Sequence, residues 1–351
     1  MLNAKIGENY NANDVVNSND LRKRILNIDS RFRSDMSNPS TNFTFKFTHP
    51  YKNLIRLRIA SVEIPNMIYT FTSWNNSFII KTQDITGIPR MVTISIEPGN
   101  YTSSELMATL QNLFDTKLRN PYGIFMSISL NTINAKVTIA LNGLSAYPVT
   151  APNPVPTASG RPFILEFATI DKFKKRYTGF GLGYNLGFRC PIYRVSDEIQ
   201  TTGPPPLTTY SITSEGCLDV VGNNYMFLCI NDLHTVEQKT YGTYLQCLAK
   251  IIIREDRYAV IYDDGSSFLS NEIIFPSPTD LKYLEVKLVD PYGDVIDLNC
   301  MDFSFSIEIT EVLNIRLYDF YRNYIWMGTV PSTKRVQGIA TPLLNGTGSP
   351  L

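Results

Sequence analysis

Histidine is nearly absent from this chain: 351 residues hold two, His49 and His234, far apart in sequence. A zinc site wants clustered Cys and His, and none are clustered here. A Cys–His nucleophilic pair has no motif to support it, so both histidines are expected at the surface. Also missing are GxSxG, HExxH, a Walker A loop and a GxGxxG leading into a helix. Gly179-Phe180-Gly181-Leu182-Gly183 comes nearest, but no Lys-Ser/Thr and no capped helix follow it. It reads as a turn that lets backbones approach closely. The expectation is no enzyme, no cofactor and no metal. Asp263-Asp264-Gly265 reads as a hairpin turn and lacks the oxygen spacing of a calcium loop.

An excess of either charge is lacking too. Lys plus Arg number 32 and Asp plus Glu 32, a net charge of zero. No global field steers such a chain onto nucleic acid, and little protects it from self-association. Charged residues make up only 18%, against a usual quarter or so. The one basic cluster with aromatics, Lys172-Phe173-Lys174-Lys175-Arg176-Tyr177, reads as a solvated loop or a charged guard on an edge strand. No apolar run approaches the roughly 18 residues of a membrane span. Residues 1–24 are polar and Asn-rich, so no secretory signal is expected. The sequons at Asn42, Asn100 and Asn345 then carry little weight. Five cysteines, an odd count with no CxxC pair, are expected to be reduced, mostly buried thiols of a cytoplasmic protein.

What the chain does have is apolar alternation. Hydrophobic residues reach 43% and aromatics 12%, with 20 Tyr and 19 Phe. These types suit pleated, half-buried surfaces. Asn42 to Thr48 places Phe43, Phe45 and Phe47 on one face. From Leu54 to Ile64, Ile55, Leu57 and Ile59 alternate with Arg56 and Arg58; the phase then slips to Ala60, Val62 and Ile64. A one-residue slip flips faces, so a bulge or bend is expected near Ile59-Ala60. Further strands are expected at 77–81, 91–97, 125–130, 136–141, 163–167, 224–230, 248–254, 258–262, 283–289 and 302–310. In the last, Phe303, Phe305, Ile307 and Ile309 face inward. One helix stands out over 103–118. Thr102-Ser103-Ser104-Glu105 is a capping box, Leu106, Leu110, Leu113 and Phe114 form its apolar stripe, and Asn120-Pro121 is expected to stop it.

The pattern predicts an all-β protein of two lobes, an antiparallel β-sandwich with one short capped helix and terminal arms. The expected division is a flexible N-terminal arm over 1–21, a first β-lobe over 22–198 and a Pro-rich linker over 199–209. A second β-lobe over 210–313 and an aromatic segment with a low-complexity tail over 314–351 complete it. A second Pro-rich stretch, 145–162, reads as a surface loop, and Trp74 as part of a loop mini-core. Candidate partner contacts are Arg22, Lys23 and Arg24, and Phe320, Tyr324 and Trp326 in the aromatic segment. The basic triplet reads either as solvated or as touching a neighbouring subunit or genome. The aromatic segment either packs back on its own body or docks on another subunit. Asp29 to Arg33 is an ion-pair cluster, within the chain or between subunits.

Five stretches taken in order resemble capsid-associated proteins of nucleocytoplasmic large DNA viruses, particularly their minor capsid proteins. They are ILNIDSRFR at 25–33, NFTFKF at 42–47, LIRLRIASVEIPNMIY at 54–69, IEPGNYTSSELMATLQ at 96–111 and LVDPYGDVIDLNCMDFSFSIEITEV at 288–312. None is a catalytic signature. The resemblance implies a jelly-roll protein that cements or bridges capsomers. Its partners would be the major capsid protein, other capsid subunits and further copies of itself, with no substrate and no specific nucleic acid. Its place would be the virion, assembled in the host cytoplasm. A receptor- or glycan-binding jelly roll at the virion surface is the alternative, with Trp74 its one candidate residue.

Overall fold

The computed structural model describes residues 20–146, 155–167, 181–200, 206–240, 244–264 and 272–319. The described residues begin with two strands, β1 (Leu21–Asp29) and the long β2 (Asn42–Pro65). A run of shorter strands follows: β3 (Ser77–Gln83), β4 (Pro89–Ser95), β5 (Ile124–Asn131), β6 (Lys136–Leu144), β7 (Phe163–Glu166), β8 (Ile192–Val195), β9 (Glu198–Gln200) and β10 (Thr208–Thr213). The third group is β11 (Tyr225–Ile230), β12 (Val236–Lys239), β13 (Tyr244–Cys247), β14 (Ala249–Ile252), β15 (Val260–Asp263), β16 (Ile273–Val289) and β17 (Ser304–Val312). All paired strands run antiparallel, the β class that the alternation predicts.

The first group and five strands of the third build one seven-stranded sheet, in the order β1-β17-β2-β16-β11-β14, with β15 also on β2, while β12 and β13 pair only with each other. Its inner face carries Ile28, Leu57, Val62, Met226, Leu228, Leu284, Val286, Phe305 and Ile307 in one buried cluster. The middle group forms two four-stranded sheets, β4-β3-β7-β8 and β5-β6-β10-β9. A second buried cluster lies with these strands, including Phe71, Phe78, Ile80, Phe114, Ile139, Leu165 and Phe188. The two cores draw on 28–64 with 226–309 and on 71–212. The Pro-rich stretch at 199–209 joins two strands of one sheet: Thr208 pairs with Gln200 and Tyr210 with Glu198. Proline-rich composition marks a loop between paired strands as readily as a linker between lobes, and pairing of distant strands leaves no local signal.

The expected bulge is where the phase slips. Ser61 pairs with Ser306 and Ile59 with Ile307, so Ala60 is the extra residue. A second irregularity, unforeseen, lies between Arg56, opposite Thr310, and Leu54, opposite Glu311. It turns Ile55 away from Leu57 and Ile59 into a small cluster with Val312 and Tyr318. The expected break after Thr48 does not occur, and β2 runs on through His49 and Pro50. Tyr51 pairs with Leu281 and Lys46 with Tyr283, so four residues bulge opposite one. Proline, which cannot donate to a ladder, is tolerated at such a bulge.

The first helix, α1 (Ser103–Phe114), has the predicted capping box: the Glu105 amide donates to the Thr102 hydroxyl at 3.2 Å, and the Thr102 amide to the Glu105 carboxylate at 2.8 Å. Leu106, Leu110 and Phe114 are buried. The helix does not stop at Asn120-Pro121. It widens into a π turn over Asp115–Arg119 and adds a last turn, Asn120–Tyr122. The wider turn lets the chain accept a proline that would otherwise crowd the carbonyl four residues back. Gly123, at φ +64°, ends it, in the left-handed conformation that glycine adopts without penalty. A second helix, α2 (Leu182–Asn185), is a single turn.

The two bodies meet where the chain passes between them. The Arg257 guanidinium donates to the Thr70 hydroxyl at 2.6 Å and to the carbonyls of Val220 and Val221. Thr70 and Val221 lie on the outgoing and returning connections, so one side chain ties both.

Candidate interaction surface

The outer face of the seven-stranded sheet collects the charged residues singled out in the sequence. Alternation along β1, β17 and β2 brings Lys23, Ile25 and Asn27 beside Ser306, Glu308 and Thr310, and these beside Ser61, Arg58 and Arg56. Glu308 is the hub: Arg58 reaches it at 2.6 Å and Lys23 at 3.2 Å. The Arg58 hydrogen bond holds the Glu308 carboxyl below the ordinary carboxylate range, against the opposing effect of burial, with Lys23 adding to the lowering. Arg56 pairs with Glu272 at 3.3 Å, and Ser304 donates to Glu63 at 2.8 Å. Around this ladder stand exposed apolar side chains: Ile25, Val260, Tyr262 and Ile274.

The basic triplet is thereby split. Lys23 joins the outer ladder. Arg24 falls on the opposite face, donating to Glu311 at 2.8 Å, with its guanidinium 5.8 Å from the Tyr51 ring. Arg22 is exposed. Phe320, Tyr324 and Trp326 lie outside the described residues, as do Lys172 to Tyr177 and the arm over 1–19. Of the aromatic segment, residues 315–319 are helical and Tyr318 is buried against the sheet's outer face with Ile55 and Val312.

The Asp29 to Arg33 cluster closes on this chain itself. Asp29 accepts from the Arg31 amide and guanidinium, and Arg33 donates to Asp302 at 3.0 Å, where Ser30 also donates at 2.7 Å. Asp84, the most buried carboxylate among the described residues, is likewise structural. Burial alone would raise its pKa, but the Thr86 hydroxyl, the Arg90 guanidinium and the amides of Ile88 and Thr86 hold it well below the carboxylate range. It fixes the β3–β4 turn. The Tyr193 hydroxyl, pushed up by burial and by Glu215 despite amides from Cys190 and Arg189, donates to Glu215 at 2.8 Å.

Both histidines are exposed, as their settings predict. Trp74 is not in a mini-core: it is 62% exposed, on a turn held by Thr72 and Asn75. The cysteines also depart from expectation. Cys229 and Cys247 are disulfide-bonded, beside a small cluster of Phe227 and Val289, and Cys190, Cys217 and Cys300 are exposed. The return of the β12–β13 hairpin over β11 brings that pair together, which a spacing of 18 residues does not announce. Among the described residues no cluster of His, Cys, Asp and Glu could hold a metal ion, and no helix is long and apolar enough to cross a membrane. A surface groove of about 460 Å³ is lined by Lys81, Arg161, Phe163 and Arg194. Lys81 is paired with Glu166 at 2.5 Å and Arg161 donates to Gln83 at 2.8 Å.

No protein-family model matches the chain, and no curated protein sequence matches it. Among solved structures, the mavirus penton protein superposes with a TM-score of 0.38 and 8% identity, over 83% of this chain and 99% of that one. A chain from the 3.5 Å cryo-EM structure of the Sputnik virophage gives 0.37 and 12%, over 82% of this chain and 98% of that one.

Proposed function

We propose that this chain is a structural protein of a viral capsid, a minor component of a large icosahedral DNA virus that bridges capsomers through its sheet faces and terminal segments. The observation that carries the reading is the outer face of the seven-stranded sheet. Its charges are satisfied in pairs, and exposed Ile25, Val260, Tyr262 and Ile274 surround them. A broad, charge-balanced surface with apolar rims suits lasting contact with protein neighbours better than capture of a small molecule. The ordered stretches that resemble minor capsid proteins agree with it. The partners on this reading are the major capsid protein, other capsid subunits and further copies of this chain. Of its two bodies, the one over residues 71–212 is inserted into the other. The test is a pull-down from disassembled virions with this chain as bait. Recovery of a capsid protein is expected; absence of the chain from purified virions would overturn the reading.

Trp74 favours a second reading. A large aromatic held in the open on a hydrogen-bonded turn is the type of residue that stacks on sugar rings. Binding on a glycan array that is abolished by Trp74→Ala would support a receptor-binding role, and a flat array would dismiss it.

A further inference from the structure

The edges of the sheets are treated unequally. On β5, the Gln111 side chain of α1 donates to the Met126 carbonyl at 3.1 Å and accepts from the Ile128 amide at 3.1 Å, closing that edge. On β4, the strand begins with Pro89 and the Lys117 ammonium takes the Thr93 carbonyl at 3.1 Å. β14, β8 and β9 end their sheets with four, four and three residues. β1 differs from all of these. It is nine residues long, has no proline and keeps one unbroken register with β17, from Leu21 opposite Val312 to Asp29 opposite Ser304.

The hydrogen-bond phase says which groups it leaves open. The Ser30 amide donates to the Phe303 carbonyl and the Leu313 amide to the Asp20 carbonyl, both at 2.9 Å. In an antiparallel ladder the bonded pairs alternate, so even-numbered residues of β1 face β17. The backbone groups of Lys23, Ile25 and Asn27 point away from the sheet, and among the described residues nothing accepts or donates to them. Ile25 itself is 68% exposed.

We propose that the β1 edge pairs with β1 of a second copy of this chain, antiparallel about a twofold axis at Ile25, joining two seven-stranded sheets into one. The register is self-complementary. Ile25 meets its own copy, Lys23 lies opposite Asn27, and Arg24 lies opposite Leu26, so no like charges oppose directly. The odd-numbered residues that face outward are the ones this pairing bonds. Strand addition of this kind draws its affinity from main-chain hydrogen bonds. This deepens the assembly reading by naming one contact, and rests on it only for the expectation that copies meet.

The test is sedimentation of the full chain, with hydrogen exchange read at residues 21–29. The wild type is expected at twice its 39.7 kDa mass, with the Lys23, Ile25 and Asn27 amides protected. Ile25→Pro removes only an outward amide and should give a folded monomer. Ile25→Lys, which sets two ammonium groups face to face, should do the same and free those amides to exchange. Unchanged circular dichroism verifies the fold of each variant. A monomeric wild type, a dimer that both variants leave intact, or protected amides in a monomer would overturn the proposal; the last would mean that the chain covers its own edge. A wild type that stays monomeric yet incorporates into virions sinks the edge and spares the capsid reading. A β1 dimer absent from virions does the reverse.

Discussion

The two bodies reach burial by different routes. The inserted body packs two four-stranded sheets over a core that includes a helix, and α1 turns its stripe of Leu106, Leu110 and Phe114 into that core. The body built from the chain's two ends has one large sheet, whose strands β2 and β16 are irregular in pairing, and it buries residues from both ends of the sequence. One route places most contacts within about half the chain; the other relies on contacts such as Ile28 with Phe305. Non-local pairing carries the larger loop-closure cost, so the two should differ in how they fail.

The largest expected effect comes from emptying a core. Phe305→Ala should cost ~3–5 kcal/mol, because Phe305 is fully buried in the end-built body. Calorimetry should show the loss in one transition and leave the inserted body's unchanged; a single transition that shifts as a whole would show the bodies unfold together. In the inserted body, Asp84→Ala takes the buried acceptor from the Thr86 hydroxyl, the Arg90 guanidinium and the turn amides of Thr86 and Ile88, and should cost about 3 kcal/mol. The pH dependence follows from the sign. Asp84 has a folded pKa below its unfolded one, so its contribution is complete above the ordinary carboxylate value and fades as pH falls below it. Acid titration of melting should therefore steepen in the wild type and flatten in Asp84→Asn. Thr102→Ala, which removes the α1 cap, should cost about 1 kcal/mol in the inserted body alone. The smallest effect is expected at Glu308→Gln, under about 1 kcal/mol and reduced further by salt, since its partners are largely exposed.

Strands and the helix start were legible because each rests on neighbours in sequence. The Phe303 to Ile309 alternation, the slip at Ala60 and the Thr102–Glu105 box all follow from local periodicity or capping. The nesting of one body inside the other was not, because β1 finds its partner almost 290 residues away. The role of its charges was not legible either: Arg22, Lys23 and Arg24 look solvated until Glu308 and Glu311 are placed beside Lys23 and Arg24. Of the candidate surface, the basic triplet was visible in the sequence. The exposed partners Val260, Tyr262 and Ile274 were not, since exposure depends on which side of a sheet remains uncovered.

The position of β17 between β1 and β2 sets an order on biogenesis. Both opening strands leave the ribosome long before the strand that separates them exists. Until Ser304–Val312 emerges, β1 has no partner and the apolar side of β2 is half dressed, while the intervening segment can already complete its own sheets. A nascent chain stalled short of that point would expose the surfaces that chaperones hold, and β17 acts as the keystone whose arrival releases it.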